Sequence, residues 1–141
     1  MPEPKAPPKT LSKSSLMQGF QCHKSLYLKF FQPGLAAPVD AARQAVFDQG
    51  HFVGEYAQKQ FPDGILIKAP YYATREGTDE TRKRIEEGAE TLFEATFLFD
   101  GLLAKADILH RPKGKKAWHL IEVKSSTSMK EEHKLDIATQ L

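Results

Sequence analysis

Three acidic residues and one lysine in the second half of the chain have types and spacing that could form a metal site. Glu122 and Lys124 flank Val123, and Asp107 precedes Glu122 with 14 residues between them. Glu94 lies further upstream, in a separate apolar segment. Oxygen-rich ligation suits Mg²⁺ or Mn²⁺. Binding of a divalent cation is therefore the chemistry that this set of residues could perform.

The elements that must position these residues are three predicted β-strands. Apolar residues recur with a period of two over residues 92–99, 102–110 and 118–124. Asp100-Gly101 between the first two strands is a strong signal for a two-residue hairpin turn. Gly114-Lys115 lies at the centre of the second connection. The pattern predicts a three-strand meander.

Closing each hairpin symmetrically about its turn places Asp107 opposite Glu94 on one side and opposite Glu122 on the other. Because side chains alternate along a strand, the three carboxylates share one face, with opposite Cβ atoms about 5 Å apart. Such a row repels itself, and a divalent cation would remove the repulsion. We interpret the row as a metal site. The alternative is a solvated sheet surface, with Lys105 and Lys124 as ion-pair partners of the acids.

The remaining segments complete an α/β (or α+β) layer arrangement. The face of the meander opposite the acids is apolar and can pack on helices: Phe93, Ala95, Phe97, Phe99, Ala104, Ala106, Ile108, Ile121 and Val123. The pattern also predicts helices at residues 12–30, 40–60, 78–89 and from 130 to the end of the chain, and a short strand at residues 65–68. Ser12 and Asp40 are the expected N-caps of the first two helices. We assign residues 1–10, which hold four of the nine prolines, to a disordered tail, and residues 11–141 to one domain.

Asp107 followed by Glu122-Val123-Lys124, with a preceding strand that carries Glu94 and a following helix with Gln140, resembles the signature of the PD-(D/E)XK nucleases. Residues 11–14 (LSKS) and 22–28 (CHKSLYL) are similar to the N-terminal segment of its RecB-like branch, which includes CRISPR-associated exonucleases. The resemblance covers residues 11–141. It implies a restriction-endonuclease-like core.

This resemblance implies a phosphodiesterase that depends on Mg²⁺ or Mn²⁺ and acts on DNA. Asp107, Glu122 and the carbonyl of Val123 would bind the metal. Lys124 would orient or activate the attacking water and stabilise charge on the phosphate. Gln140 matches the first residue of the family's Gln-x-x-x-Tyr motif. Leu141 ends the chain before the Tyr position, so the motif is incomplete and we expect a fragment of a longer DNA-processing or defence protein. The alternative is a short natural protein with a frayed end.

Two positions depart from the family pattern. The branch usually carries a metal-binding His on an early helix, and here Glu55 is the first candidate for that role and His51 the second. The alternative for both is a solvent-facing helix residue. Cys22 lies where iron–sulfur members place their first cysteine, but one cysteine cannot hold a cluster. We expect Cys22 to be a small buried apolar residue.

A basic segment between the second and third strands is the predicted contact with DNA phosphates. It contains Arg111, Lys113, Lys115 and Lys116 without an acidic residue. DNA ends or single strands are the expected substrates. The alternative is an ordinary solvated hairpin tip. The net charge of +2 does not indicate a histone-like binder, but a local patch of this kind can bind nucleic acid on a near-neutral chain.

Composition excludes several classes of protein. Hydrophobic residues make up 40% and charged residues 27% of the 141 residues, as in globular proteins and unlike disordered ones. No apolar run approaches the ~18 residues of a membrane span. Since no signal peptide pattern is found either, we expect a cytoplasmic protein. The competing hypothesis for function is a catalytically inactive nucleic-acid-binding or scaffolding domain that retains the nuclease fold.

Overall fold

The computed structural model describes residues 10–70 and 72–141. The predicted tail at residues 1–10 lies outside the described residues, apart from Thr10. The described chain contains the strands β1 (Leu11–Ser12), β2 (Ile65–Leu66), β3 (Thr91–Phe99), β4 (Leu102–His110) and β5 (His119–Ile121). It also contains the helices α1 (Lys13–Gln21), α2 (His23–Phe31), α3 (Ala41–Gln58), α4 (Thr74–Glu86) and α5 (Glu131–Ala138), with a 3₁₀ turn at Pro33–Leu35. No described helix has both the length and the apolar character needed to cross a membrane.

The strands form one curled, mixed sheet in the order β1-β4-β3-β2, and β5 pairs with β4. The meander β3-β4-β5 is antiparallel, as the sequence predicts. It is not the whole sheet, because β1 runs parallel to β4 and β2 runs parallel to β3. Since β3 occupies one edge of β4, β1 and β5 share the other edge, at opposite ends of the strand. The mixed α/β class is therefore confirmed, with two more strands in the sheet than the predicted meander.

Both predicted registers are confirmed. In the first hairpin, Leu92 pairs with Leu109 and Ala95 with Ala106, and Leu109 pairs in turn with Leu120 of β5. Asp100 and Gly101 have φ values of 47° and 78°, as a two-residue hairpin turn requires. The third strand is shorter than predicted, since β5 ends at Ile121 rather than at residue 124. Glu122 and Lys124 therefore lie just beyond the strand.

The core lies where α4 packs on β3, next to β2 and the residues that follow it. Leu92, Ala95, Ala106 and Leu109 cluster there with Ile67. Two residues of the predicted core face are exposed, Phe97 at 40% and Phe99 at 84%, and Ile121 and Val123 are half-buried. Because β2 pairs only with residues 92 and 93, the far end of the β3–β4 hairpin projects beyond the covered part of the sheet.

The N-terminal helical segment differs from the prediction at Cys22. Residues 12–30 form two helices rather than one, because Cys22 is extended, with φ −160°, and separates α1 from α2. Cys22 is exposed, so the expectation of a buried cysteine is wrong. Its Sγ accepts a hydrogen bond from the Ser25 backbone N–H at 3.4 Å, and Cys22 serves as the N-cap of α2. The residue therefore has a local structural role at a helix boundary.

The remaining predicted helices are all present, but they begin or end at residues other than those predicted. Asp40 caps α3 by accepting from the Arg43 N–H at 2.7 Å, and Ser12 caps α1 through the Ser15 N–H. The fourth helix begins at Thr74, four residues earlier than predicted. The last helix ends at Ala138 and does not run to the end of the chain. Gln140 consequently lies in the turn that follows α5.

Candidate active site

A cleft of about 520 Å³ brings most of the predicted site residues together. Residues of α3 line one side: Gly50, His51, Gly54, Glu55 and Gln58. The sheet and the segment after β5 line the other side with Leu66, Glu94, Asp107, Ile108, Glu122, Val123 and Lys124. The cleft is therefore formed by the two parts of the chain that the sequence singled out, the helix with Glu55 and the meander with the acids.

Asp107 and Glu94 face the cleft in an unfavourable electrostatic environment. Burial raises the pKa of the Asp107 carboxyl, and the charge of Glu122 raises it further, against the opposing hydrogen bond from the Val123 N–H. That N–H donates to Asp107 Oδ2 at 2.7 Å. Burial also raises the pKa of Glu94, and the charges of Asp107 and Glu122 add to the effect. The three carboxylates thus interact as the predicted row would.

Glu94 has an unusual backbone conformation for a strand residue. Its φ is +56°, in the left-handed region that residues with a side chain rarely adopt. The pairs on both sides of it keep the same register, so no residue is inserted there. Backbone strain of this kind costs about 1–3 kcal/mol and often occurs at functional sites.

Glu122 is held by three side chains. Its Oε1 accepts hydrogen bonds from Lys124 at 2.8 Å and from Lys13 at 2.9 Å. Its Oε2 accepts from Lys13 and from Gln140 Nε2, both at 3.0 Å. The predicted site residues Glu122, Lys124 and Gln140 are therefore in direct contact. Gln140 contacts a carboxylate, although it lies beyond the end of its helix.

The structure adds two residues that the sequence analysis did not assign, Lys13 and Asp136. Asp136, on α5, accepts a hydrogen bond from Lys124 on Oδ2, and its Oδ1 lies 3.1 Å from Lys13 Nζ. Burial opposes ionisation of Asp136, but the hydrogen bond from Lys124 and the charge of Lys13 lower its pKa. Burial likewise opposes the charge on Lys124, yet hydrogen bonds to Asp136 and Glu122 raise its pKa. Two lysines and two carboxylates thus form one ion network.

The donors of the cleft fit a hard divalent cation in chemistry, since they are carboxylates and a carbonyl. Glu94 and Asp107 carry raised carboxyl pKa values and lie outside the lysine network that neutralises Glu122 and Asp136. Among the described residues, however, no group of three His, Cys, Asp or Glu side chains could hold a metal ion as arranged. Glu55 and His51 are exposed on α3 and line the cleft without completing such a group.

The basic segment divides into one anchored and three exposed cations. The Arg111 guanidinium lies over the Trp118 ring, 4.7 Å from its centroid, and the Arg111 N–H donates to the Glu90 carbonyl. Lys113, Lys115 and Lys116 are exposed around a turn that includes Gly114 with φ 74°. The lysines can reach a ligand in solvent, whereas Arg111 stabilises the base of the loop.

The chain was also compared with protein-family models, with curated proteins and with solved structures. None of the three comparisons found a match.

Proposed function

We propose that this chain is a metal-dependent phosphodiesterase that cleaves DNA, built on a restriction-endonuclease-like core similar to that of the RecB-like PD-(D/E)XK nucleases. The observation that supports this proposal most is that Glu94, Asp107 and Glu122 line one cleft together with Lys124 and interact through their charges. Burial raises the carboxyl pKa values of Glu94 and Asp107, and keeping these two groups charged costs stability unless a cation compensates them. We therefore expect this arrangement of acids in a protein that binds a metal ion.

The proposed roles of the residues are those that the resemblance to the nuclease family implies. Asp107, Glu122 and the Val123 carbonyl would hold Mg²⁺ or Mn²⁺, with Glu94, Glu55 or His51 as further ligands. The bound ion would polarise a phosphoryl oxygen and lower the pKa of a coordinated water. The Val123 N–H already donates to Asp107 Oδ2, which holds the peptide between Glu122 and Val123 beside that carboxylate.

The contacts of Lys124 distinguish between two possible roles, orienting the attacking water and abstracting a proton from it. Because hydrogen bonds to Asp136 and Glu122 raise its pKa, Lys124 stays protonated at neutral pH. A protonated lysine cannot accept a proton from water. We therefore assign it to orienting the attacking water and stabilising negative charge on the phosphate, rather than to proton abstraction.

The exposed lysines of the basic segment would bind the DNA backbone at some distance from the acids. Arg111 follows Asp107 by four residues, and the rise of an extended strand places them about 13 Å apart along the chain. A DNA strand in the cleft could therefore contact Lys113, Lys115 and Lys116 a few nucleotides from the cleaved bond. Single strands and DNA ends fit an open cleft of this kind.

A second candidate function is a catalytically inactive nucleic-acid-binding or scaffolding domain. The observation that favours it is the ion network itself, which connects α1, the segment after β5, and α5. A network of this kind can hold three elements together without any metal. In that case Glu122 and Lys124 would be structural.

Cleavage of end-labelled single-stranded DNA in Mn²⁺ distinguishes the two functions. We expect the wild-type chain, or a longer chain that contains it, to cut, and Lys124→Ala and Glu122→Ala to lose at least about 100-fold in rate. Lys83→Ala, an exposed lysine of α4, is the matched control and should cut normally. Equal cleavage by the two site variants would refute the assignment of the site. Absence of both cleavage and Mn²⁺ binding would favour the scaffolding domain.

A further inference from the structure

Lys13 forms hydrogen bonds with the carboxylate of Glu122, which is a ligand of the proposed metal site. It follows β1 directly as the first residue of α1, and its Nζ donates to both oxygens of Glu122, at 2.9 and 3.0 Å. The side chains of Lys13 and Glu122 are only 16% and 7% exposed. The contact joins residues 109 positions apart in the chain and lies inside the fold.

Glu122 has no acceptor capacity left for a metal. An ionised carboxylate offers about four lone-pair sites on its two oxygens. Lys13 and Lys124 fill those of Oε1, and Lys13 and Gln140 fill those of Oε2. A metal–oxygen bond at Glu122 therefore requires at least one of these donors to leave.

Lys13 is the donor whose departure frees a lone pair on each oxygen of Glu122, since Lys124 and Gln140 each donate to only one oxygen. It also has a second acceptor within reach. Asp136 Oδ1 is buried and accepts no hydrogen bond from a described residue, yet it lies 3.1 Å from Lys13 Nζ. A small rotation of the ammonium group would complete that bond. The fold thus contains an acceptor ready to receive Lys13 after it leaves Glu122.

We propose that Lys13 is an internal cation that competes with the divalent metal for Glu122 and moves onto Asp136 when the metal binds. The inference rests on the proposed function and adds a residue that regulates the affinity of its metal site. In this arrangement Lys13 keeps the carboxylate neutralised until a metal is present in sufficient concentration.

Direct measurement of Mn²⁺ binding, by titration calorimetry or by the electron paramagnetic resonance signal of free Mn²⁺, tests the competition without DNA. We expect Lys13→Met to bind Mn²⁺ at least about tenfold more tightly than the wild type. Lys13→Arg, which keeps the charge and can still bind both oxygens, should bind no more tightly than the wild type. Lys83→Met is the matched control, because Lys83 is exposed on α4 and its paired carboxylate is Glu87, which does not line the cleft. Its affinity should change by less than about threefold.

A second measurement follows Lys13 itself. Its side-chain NMR signals, assigned by their loss in Lys13→Met, should shift when the wild-type chain is saturated with diamagnetic Mg²⁺. Unchanged or weaker Mn²⁺ binding by Lys13→Met, or Lys13 signals that do not move, would overturn the inference. If Lys13→Met does not fold, Lys13→Gln, which keeps a donor without the charge, takes its place with the same expectation.

Glu122→Gln separates this inference from the proposed function. If the wild type binds Mn²⁺, Glu122→Gln abolishes binding and Lys13→Met has no effect, only the competition is refuted. If neither the wild type nor Lys13→Met binds Mn²⁺, both the metal site and the competition for Glu122 are refuted. Tighter binding in Lys13→Met that Glu122→Gln removes from the double variant supports both.

Discussion

Asp107 carries a charge that works against folding when no metal is bound. Its carboxyl pKa is raised in the folded state by burial and by Glu122. The folded chain therefore binds more protons than the unfolded chain between the ordinary pKa of an Asp and the raised folded value. The contribution of this group to stability is greatest below the ordinary pKa and falls as the pH rises through the folded pKa.

We expect Asp107→Asn to stabilise the metal-free chain while it removes metal binding. The amide oxygen can still accept from the Val123 N–H, whereas the buried charge and its repulsion with Glu122 are lost. At pH 7 the melting temperature should rise by a few degrees, the shift that about 1 kcal/mol causes in a small domain. The gain should shrink as the pH approaches the ordinary Asp pKa of about 4.

Asp79→Asn is the control for this variant. Asp79 is an exposed acid of α4, paired with Arg75 at 3.9 Å, and its replacement should leave the melting temperature nearly unchanged. A lower melting temperature for Asp107→Asn at pH 7, measured without metal by calorimetry, would contradict the electrostatic account of the row.

At position 94 we expect glycine to destabilise the chain less than alanine does. At an ordinary strand position the order is the reverse. The φ of Glu94, +56°, disfavours any residue with a Cβ by about 1–2 kcal/mol, and glycine adopts it freely. We expect Glu94→Gly to be more stable than Glu94→Ala in urea denaturation. At Leu98, an exposed residue of the same strand, the Ala variant should be more stable than the Gly variant. The same order at both positions would show that Glu94 is not strained.

At the scale of the elements, the sequence is informative where contacts are local. The β3–β4 hairpin and its register follow from Asp100-Gly101, because a two-residue turn leaves the flanking strands one way to pair. The caps at Ser12 and Asp40 are local for the same reason. Turns and alternation also indicate that Glu94, Asp107 and Glu122 lie close together, and all three line one cleft.

Non-local contacts could not be predicted in this way. The parallel pairing of β1 with β4 joins Leu11 to Leu102, and a two-residue strand has no periodicity to reveal it. Lys13 reaches Glu122 only because this pairing brings the start of α1 to the sheet. Asp136 lies on α5, whose apolar pattern is weak, so its inward orientation depends on packing rather than on sequence period. The sequence predicts the strands of the site but not the network that surrounds Glu122.

The helical glycines Gly77 and Gly50 should respond in opposite directions to alanine. A Cβ on Gly77 would lie 2.9 Å from Thr96 Oγ1 and 3.1 Å from two carbons of that buried side chain, so α4 must move away from β3. We expect Gly77→Ala to destabilise the chain by about 1–3 kcal/mol. A Cβ on Gly50 of α3 meets nothing within 4 Å, and Gly50→Ala should stabilise it by up to about 1 kcal/mol through helix propensity.

Urea denaturation of both alanine variants measures the two effects on one scale. Equal loss of stability in Gly77→Ala and Gly50→Ala would mean that α3 is packed more tightly than the structure describes. A neutral Gly77→Ala would contradict the close approach of α4 to Thr96.

For the whole molecule, the net charge of +2 is small because 20 basic residues nearly balance 18 acidic ones, and charges of the two signs lie in different places. Carboxylates concentrate in the cleft, while Lys113, Lys115 and Lys116 are exposed at the connection between β4 and β5. A polyanion would approach such a molecule by its basic segment, and the acids would repel it until a cation is bound. DNA binding and metal binding should therefore be separable by substitution.

The triple variant Lys113→Gln, Lys115→Gln and Lys116→Gln tests this separation. Each lysine that neutralises a phosphate contributes about 0.7 to the dependence of log K on log salt for single strands, so the slope should fall by up to about 2. The matched control replaces Lys24, Lys59 and Lys83, which are exposed elsewhere and give the same change in net charge. Fluorescence anisotropy with labelled single-stranded DNA in EDTA, at several salt concentrations, gives the slopes without cleavage. Mn²⁺ affinity should be unchanged in both triple variants, and an equal loss of DNA affinity in the two would mean that binding depends on total charge and not on the basic segment.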